Sequence, residues 1–289
     1  MDRILQSIQD SIRDFLIGVI QTNMGTMFTY VNEKAGEIIT SAGQTPQGFN
    51  SGIFAMVKSL SNTVIIPIAG LVLTYVLCYE LISMVVEKNH GNDISTFEFF
   101  KYFFKMCIAV MLVSHTFEIT MAVFDVGQYV VQKTAGVISD QTAIDASATI
   151  SNITSQMRDM ELSDLFVLAL ETLIMSFFTK IISIIISTIM YGRMIEIYLY
   201  CSIAPLPFST MVNREWGNIG TNYLKSIFAL AFQGFFMAVC IGIYSVLIGS
   251  MSIAGDIHMS LFSILTYTIV LALSLYHTGS VSKSIFNAH

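Results

Sequence analysis

Residues 165–211 read "LFVLALETLIMSFFTKIISIIISTIMYGRMIEIYLYCSIAPLPFSTM". Four charged residues interrupt the run: Glu171, Lys180, Arg193 and Glu196. There is no strict alternation of apolar and polar positions, so it is not the strand of a barrel. As one helix it would extend roughly 70 Å at 1.5 Å per residue. The hydrocarbon core of a bilayer is only about 30 Å thick. Two arrangements follow. The run turns back at Tyr191-Gly192-Arg193 and makes two spans, or it crosses once and continues beyond the lipid inside a protein assembly.

The rest of the chain shares this solvent preference. Of its 289 residues, 54% are hydrophobic and 12% are charged, with a mean hydropathy of +0.69. A soluble domain carries about twice that charge fraction. Lipid offers backbone amides no partner, so apolar blocks of this length are expected to be helices. The expected class is an all-α, polytopic helical membrane protein. A net charge of −6 argues against a broad basic face gripping polyanions. Cys78, Cys107, Cys201 and Cys240 lie in apolar blocks without paired spacing, and read as buried small hydrophobes. The beginning, "MDRILQSIQDSIRDFLIGVIQ", has early acids and no continuous apolar core, unlike a signal peptide.

Five segments organise the chain. Residues 1–52 hold an amphipathic helix and a loop. Ile4, Ile8, Ile12, Phe15 and Val19 share one helical face, and "SAGQTPQGFNSG" at 41–52 reads as loop. That face is expected to pack on protein more than on lipid. Residues 53–124 carry two spans, about 64–85 and 99–124, with Lys101 and Lys105 among phenylalanines at an interface. Residues 125–164 form a polar central segment, expected as short helices on one membrane face and outside the cytoplasm. The long run occupies 165–211. Residues 212–289 hold a corner, two further spans and a tail.

The basic residues favour one of the two arrangements. Lys and Arg near span ends favour the cytoplasm. A single crossing of the long run puts Lys88, Lys101, Lys105, Arg214, Lys225 and Lys283 on one side. The expectation is therefore five spans, with the N-terminal region outside and the tail inside. Six spans follow if the run turns back.

The charges inside the run need partners. Glu171 and Lys180 are nine apart and point to opposite faces, so each must find a partner on another helix, another subunit or water. A charge at the centre of a span costs about 2.5–3.5 kcal/mol on insertion scales and faces a bundle interior or a wet cavity. Arg193 and Glu196, three apart, can pair on one face. These four are the candidate conduit or inter-subunit charges. Pro205 and Pro207 each remove a backbone donor. The run should therefore end in a kink packed in protein, followed by a corner at Arg214, Glu215 and Trp216. Trp216, the sole tryptophan, suits the headgroup level.

No P-loop, HExxH, CxxC or GxSxG pattern occurs. No catalytic, cofactor-binding or metal-ligating residues are assigned, no cofactor is expected, and the chain does not read as an enzyme.

Several blocks carry a family likeness: "TVIIPIAGLVLTYVLCYELISMVVEKN" (63–89), "MAVFDVGQ" (121–128), "YGRMIEIYLYCSIAPLPFSTMVNREWG" (191–217), "NYLKSIFALAFQGF" (222–235) and "KSIFNAH" (283–289). The chain resembles the TrbL family of conjugal transfer proteins over nearly its whole length. The branch carried by conjugative elements of Gram-positive bacteria is the most similar. The resemblance implies a cytoplasmic-membrane subunit of a type IV secretion machine, without ATPase activity of its own. It implies a homo-oligomeric ring at the base of the channel and contact with other secretion subunits, including the secretion ATPase. It also implies passing contact with transferred single-stranded DNA, and membrane lipid around the ring. An independent channel or transporter for a small solute is the alternative.

Overall fold

A computed structural model describes residues 2–88, 96–139, 146–249 and 257–288. The described residues are almost entirely helical and contain no strand. The elements are α1 (Asp2–Ala42), α2 (Pro46–Phe49), α3 (Ser51–Leu60), α4 (Ile66–Lys88), α5 (Thr96–Ser114), α6 (Thr116–Ser139), α7 (Ala146–Met157), α8 (Leu162–Ile203), α9 (Pro205–Thr210), α10 (Gly217–Gly249) and α11 (Ile257–Ile285). Four stretches among the described residues are long and apolar enough to cross a membrane: Ser51–Val86, Leu162–Ile203, Gly217–Gly249 and Ile257–Ile285. The bent pair Thr96–Ser114 and Thr116–Ile138 makes a fifth if it counts as one span. The protein is an all-α polytopic membrane protein.

The chain divides into two compact units. One comprises 1–42, 131–191 and 235–278. Its core joins Ile20, Met24 and Met27 of α1 to Leu165, Leu168 and Met175 of α8, and to Met237, Leu261 and Leu275. Gln21 Nε2 donates to Thr154 Oγ1 at 2.9 Å, tying α1 to α7. The other unit comprises 43–130, 192–234 and 279–289. One of its cores gathers Phe117, Phe124, Met194, Ile197, Phe208 and Ile227. A second joins Ala69 and Leu73 of α4 to Ala109 and Val113 of α5. The helices α6, α8, α10 and α11 contribute residues to both units.

The long apolar run is one helix. No turn occurs at Tyr191-Gly192-Arg193; α8 continues unbroken to Ile203. Its 42 residues extend about 63 Å. Exposed Phe166, Leu170, Leu173, Phe177, Ile184, Ile195 and Leu199 follow one another along it. Such a surface is a liability in water and ordinary in lipid.

The structure adds detail to several local expectations. The segment 41–52 is not a plain loop: α1 runs to Ala42, and polar residues serve as caps. Thr45 Oγ1 accepts from Gly48 N at 3.2 Å, ahead of Pro46 at the start of α2, and Asn50 Oδ1 accepts from Ile53 N at 2.9 Å. Both are N-cap bonds. The apolar residues Ile4, Ile8, Ile12 and Phe15 are exposed on the single chain, as a face meant for a partner or for lipid would be, while α1 buries Leu16, Ile17, Ile20, Met24 and Phe28 within its unit. The segment expected as the span 99–124 bends by 66° between α5 and α6. There the Thr116 hydroxyl donates to Leu112 O and Val113 O, drawing carbonyls away from the helical ladder. α6 then runs to Ser139, so the polar central stretch begins inside a helix. The linkers 89–95, 140–145 and 250–256 lie outside the described residues.

Pro67 shows how this unit absorbs a helix breaker. A π-helical turn, Ser61–Ile65, precedes it, and Ile66 N donates to Ser61 O, five residues back. The wider turn accommodates a ring that cannot donate to the residue four before it.

Candidate functional site at the Pro205–Gly217 corner

The corner begins where α8 runs out of donors. Pro205 opens α9 after Ala204, and Pro207 follows within the same turn. The bond from Phe208 N to Ala204 O is stretched to 3.4 Å. Near the end of α8, Ser202 donates to Leu199 O at 2.8 Å, and Tyr223 donates to Tyr200 O at 2.7 Å, tying α10 to the end of the helix. α10 then approaches closely. A Cβ on Gly220 would lie 2.5 Å from Pro207 O and 2.0 Å from Met211 Cγ.

Asn213 organises the turn. Buried to 4% exposure, its Oδ1 accepts from Glu215 N at 2.7 Å and from Trp216 N at 3.0 Å. Its Nδ2 donates to Glu80 Oε2 at 3.2 Å. The other oxygen of Glu80 accepts from Lys105 Nζ of α5 at 2.5 Å. One carboxylate inside the apolar helix α4 thus ties α4, α5 and the corner together. Tyr79 OH donates to Glu215 Oε2 at 3.0 Å, and Tyr102 OH to Leu77 O at 2.9 Å. Trp216 stacks on both Tyr75 and Tyr79, with ring centroids 5.6 and 5.4 Å apart.

These groups surround a cavity of about 470 Å³. Glu80, Glu98 and Glu215 face Lys101, Lys105 and Arg214 across it. Lys105 is consumed by Glu80. Lys101 and Arg214 are exposed and take no ion-pair partner among the described residues.

The charges of α8 are distributed differently. In the unit containing α1, Glu171 Oε2 lies 2.5 Å from His258 Nδ1 of α11, and Lys180 Nζ sits 5.9 Å from the Tyr30 ring centroid. In the unit containing the corner, the Arg193–Glu196 pair allowed by spacing does not form. Glu196 accepts from Lys283 Nζ of α11 at 2.8 Å. Arg193 is 5% exposed. Its Nη2 reaches Leu230 O at 3.4 Å, while Nε and Nη1 have no partner among the described residues. Burial on α10 has turned this guanidinium from its neighbour on the helix.

The structure thus brings Pro205, Pro207, Arg214, Glu215 and Trp216 together in one corner. Sequence reasoning placed Asn213 in the turn but passed over Glu80, Tyr75 and Tyr79. A signal was available in Glu80, a carboxylate inside an apolar span, and in two tyrosines four apart, which share a helix face.

The arrangement offers charge pairing and aromatic stacking. Among the described residues no three His, Cys, Asp or Glu side chains gather as a metal site. No curated protein and no solved structure matches the chain. A family model described as TrbL/VirB6 plasmid conjugal transfer like protein matches residues 31–205, which ends at Pro205, the first proline of the corner. With that match covering well over half of its length, the chain belongs to the TrbL/VirB6-like plasmid conjugal transfer family.

Proposed function

We propose that the protein is a non-enzymatic channel and scaffold subunit of a conjugative type IV secretion system. It resides in the cytoplasmic membrane and helps form the conduit for relaxase-bound DNA. The observation that carries this reading is the family match over 31–205, on a chain whose helix α8 far exceeds a bilayer core. Apolar stripes left exposed on α1 and α8 support a homo-oligomeric ring whose neighbours cover part of that surface. The charges within α8 support a conduit wall, because ionisable groups in spans favour bundle interiors and aqueous cavities. Contact with the secretion ATPase and passing contact with the transferred strand belong to the same reading, as does placement in the Gram-positive branch.

The corner supports an orientation. Lys101, Lys105 and Arg214 gather around one cleft, and basic residues near span ends favour the cytoplasm. The cleft is then cytoplasmic.

The test is deletion and crosslinking in donor cells. Deletion should abolish transfer, with restoration by the gene in trans. Crosslinking during mating should recover the transferred strand with this protein. Undiminished transfer after deletion would contradict the assignment. Solute flux through liposomes holding this protein alone, with no DNA crosslink in mating cells, would favour a small-solute channel.

A further inference from the structure

The corner cavity holds a charge pattern that intramolecular pairing leaves incomplete. Lys105 and Asn213 each bond one oxygen of Glu80. Lys101 and Arg214 remain without ion-pair partners among the described residues, facing a space of about 470 Å³. Glu215, steadied by the Tyr79 hydroxyl, lies on the same lining as Glu98. The cavity therefore offers two open cations beside carboxylates, a pattern complementary to a zwitterion rather than to a simple anion. Its volume lies within the range of small-ligand sites.

The surroundings indicate where such a ligand comes from. Phe97, Phe100 and Phe104 follow one another on α5 with exposures of 76, 70 and 68%. Ile82 and Val86 of α4 are also exposed. Aromatic side chains of this kind mark the boundary between headgroup and acyl chain. Basic pockets between spanning helices are where lipid headgroups are held. A polar cavity flanked by acyl-compatible helix faces suits a lipid better than a soluble metabolite.

We propose that the cavity between α4, α5 and the corner binds the headgroup of an ethanolamine phospholipid. The phosphodiester is held by Lys101 and Arg214, and the ammonium is received by Glu215 and Glu98. This inference rests on the membrane reading of the fold and does not depend on the role in DNA transfer.

The sole tryptophan, Trp216, stacks on Tyr79 at the edge of the cavity, so intrinsic emission reports on this site. The full chain, purified in a neutral detergent, is titrated with short-chain phosphatidylethanolamine. Parallel titrations use phosphatidylglycerol, phosphatidylcholine, inorganic phosphate and a polyglutamate peptide. The expected result is a saturable emission change with phosphatidylethanolamine, at least about fivefold tighter than with any other probe. Lys101→Gln and Arg214→Gln should each weaken it about tenfold, as loss of a charge-assisted contact does. Lys58→Gln, whose ammonium lies over the Phe117 ring, should leave it unchanged. Glu215→Gln should weaken phosphatidylethanolamine but not phosphatidylglycerol, a split that general loosening of the fold would not produce. Circular dichroism and melting check each variant. If Arg214→Gln fails to fold, Lys101→Gln on the exposed rim carries the test.

Five outcomes would overturn the proposal. No lipid gives a saturable change, or Lys101→Gln has no effect. Inorganic phosphate binds as tightly as the lipid, making this a free-anion site. Phosphatidylglycerol matches phosphatidylethanolamine, removing the role of the carboxylates. The peptide alone saturates, assigning the cavity to an acidic protein segment. Each leaves the membrane fold standing; only a chain that stays monomeric in water without detergent would sink both.

Discussion

Asn213 carries more of the corner than either proline. Its amide oxygen caps two backbone donors and its amide nitrogen reaches Glu80. Replacing it with alanine leaves two orphan N–H groups and one weakened carboxylate contact. Asn213→Ala should lose about 2 kcal/mol of stability, read as a lower melting temperature in detergent. Arg193 should behave in the opposite way. A buried guanidinium with two idle nitrogens pays desolvation without full return, and apolar replacement of such groups is often neutral or stabilising. Arg193→Met should therefore melt at or above the parent temperature. Glu196→Gln, removing a partly exposed pair with Lys283, should lose no more than about 1 kcal/mol. A large loss in Arg193→Met would show that the guanidinium is paired in the working protein. In mating assays, Glu171→Gln, which loses its charge opposite His258, should reduce transfer more than Lys133→Gln. Equal, negligible effects would remove any special role for charges inside α8.

Elements show what a sequence discloses and what it withholds. The helix α8 was legible because a long apolar block has few alternatives in lipid. The break between α8 and α9 at Pro205 was legible because a missing donor has a fixed consequence. The bend between α5 and α6 was not, since neither Pro nor Gly stands there. The Thr116 hydroxyl bonds two carbonyls at the bend, but nothing local distinguishes that threonine from Thr179, whose hydroxyl bonds Met175 O within a continuing helix. A second apolar face on α1, the one buried against α7 and α8, was not legible, because only those contacts single it out. The corner's prolines and charges were readable, whereas the carboxylate that joins them, Glu80, comes from a helix more than 120 residues away in sequence. Close helix approach was equally silent. Gly220→Ala forces a Cβ to within 2.5 Å of a backbone oxygen and should cost about 1–3 kcal/mol. Gly18→Ala in α1, with nothing within 4 Å of the added carbon, should be neutral or gain up to about 1 kcal/mol. Melting curves of the two variants side by side check this. Equal losses would mean that the packing of α10 on α9 is looser than described.

For the molecule as a whole, membership of the conjugal transfer family and the length of α8 converge on one claim. We propose that the run from Leu162 to Ile203 crosses the membrane once and that the corner after it faces the cytoplasm. The mixed cleft supports it, because Glu80 at the end of the first span bonds Asn213 of the corner. A second crossing within the run would have put those ends on opposite sides. Single cysteines at Asp159 and Gly217, in a background with the four native cysteines replaced by serine, test the claim with a membrane-impermeant maleimide on intact cells. The single-crossing account predicts labelling at position 159 from outside and at 217 only after permeabilisation. Labelling of both positions from the same side would contradict it.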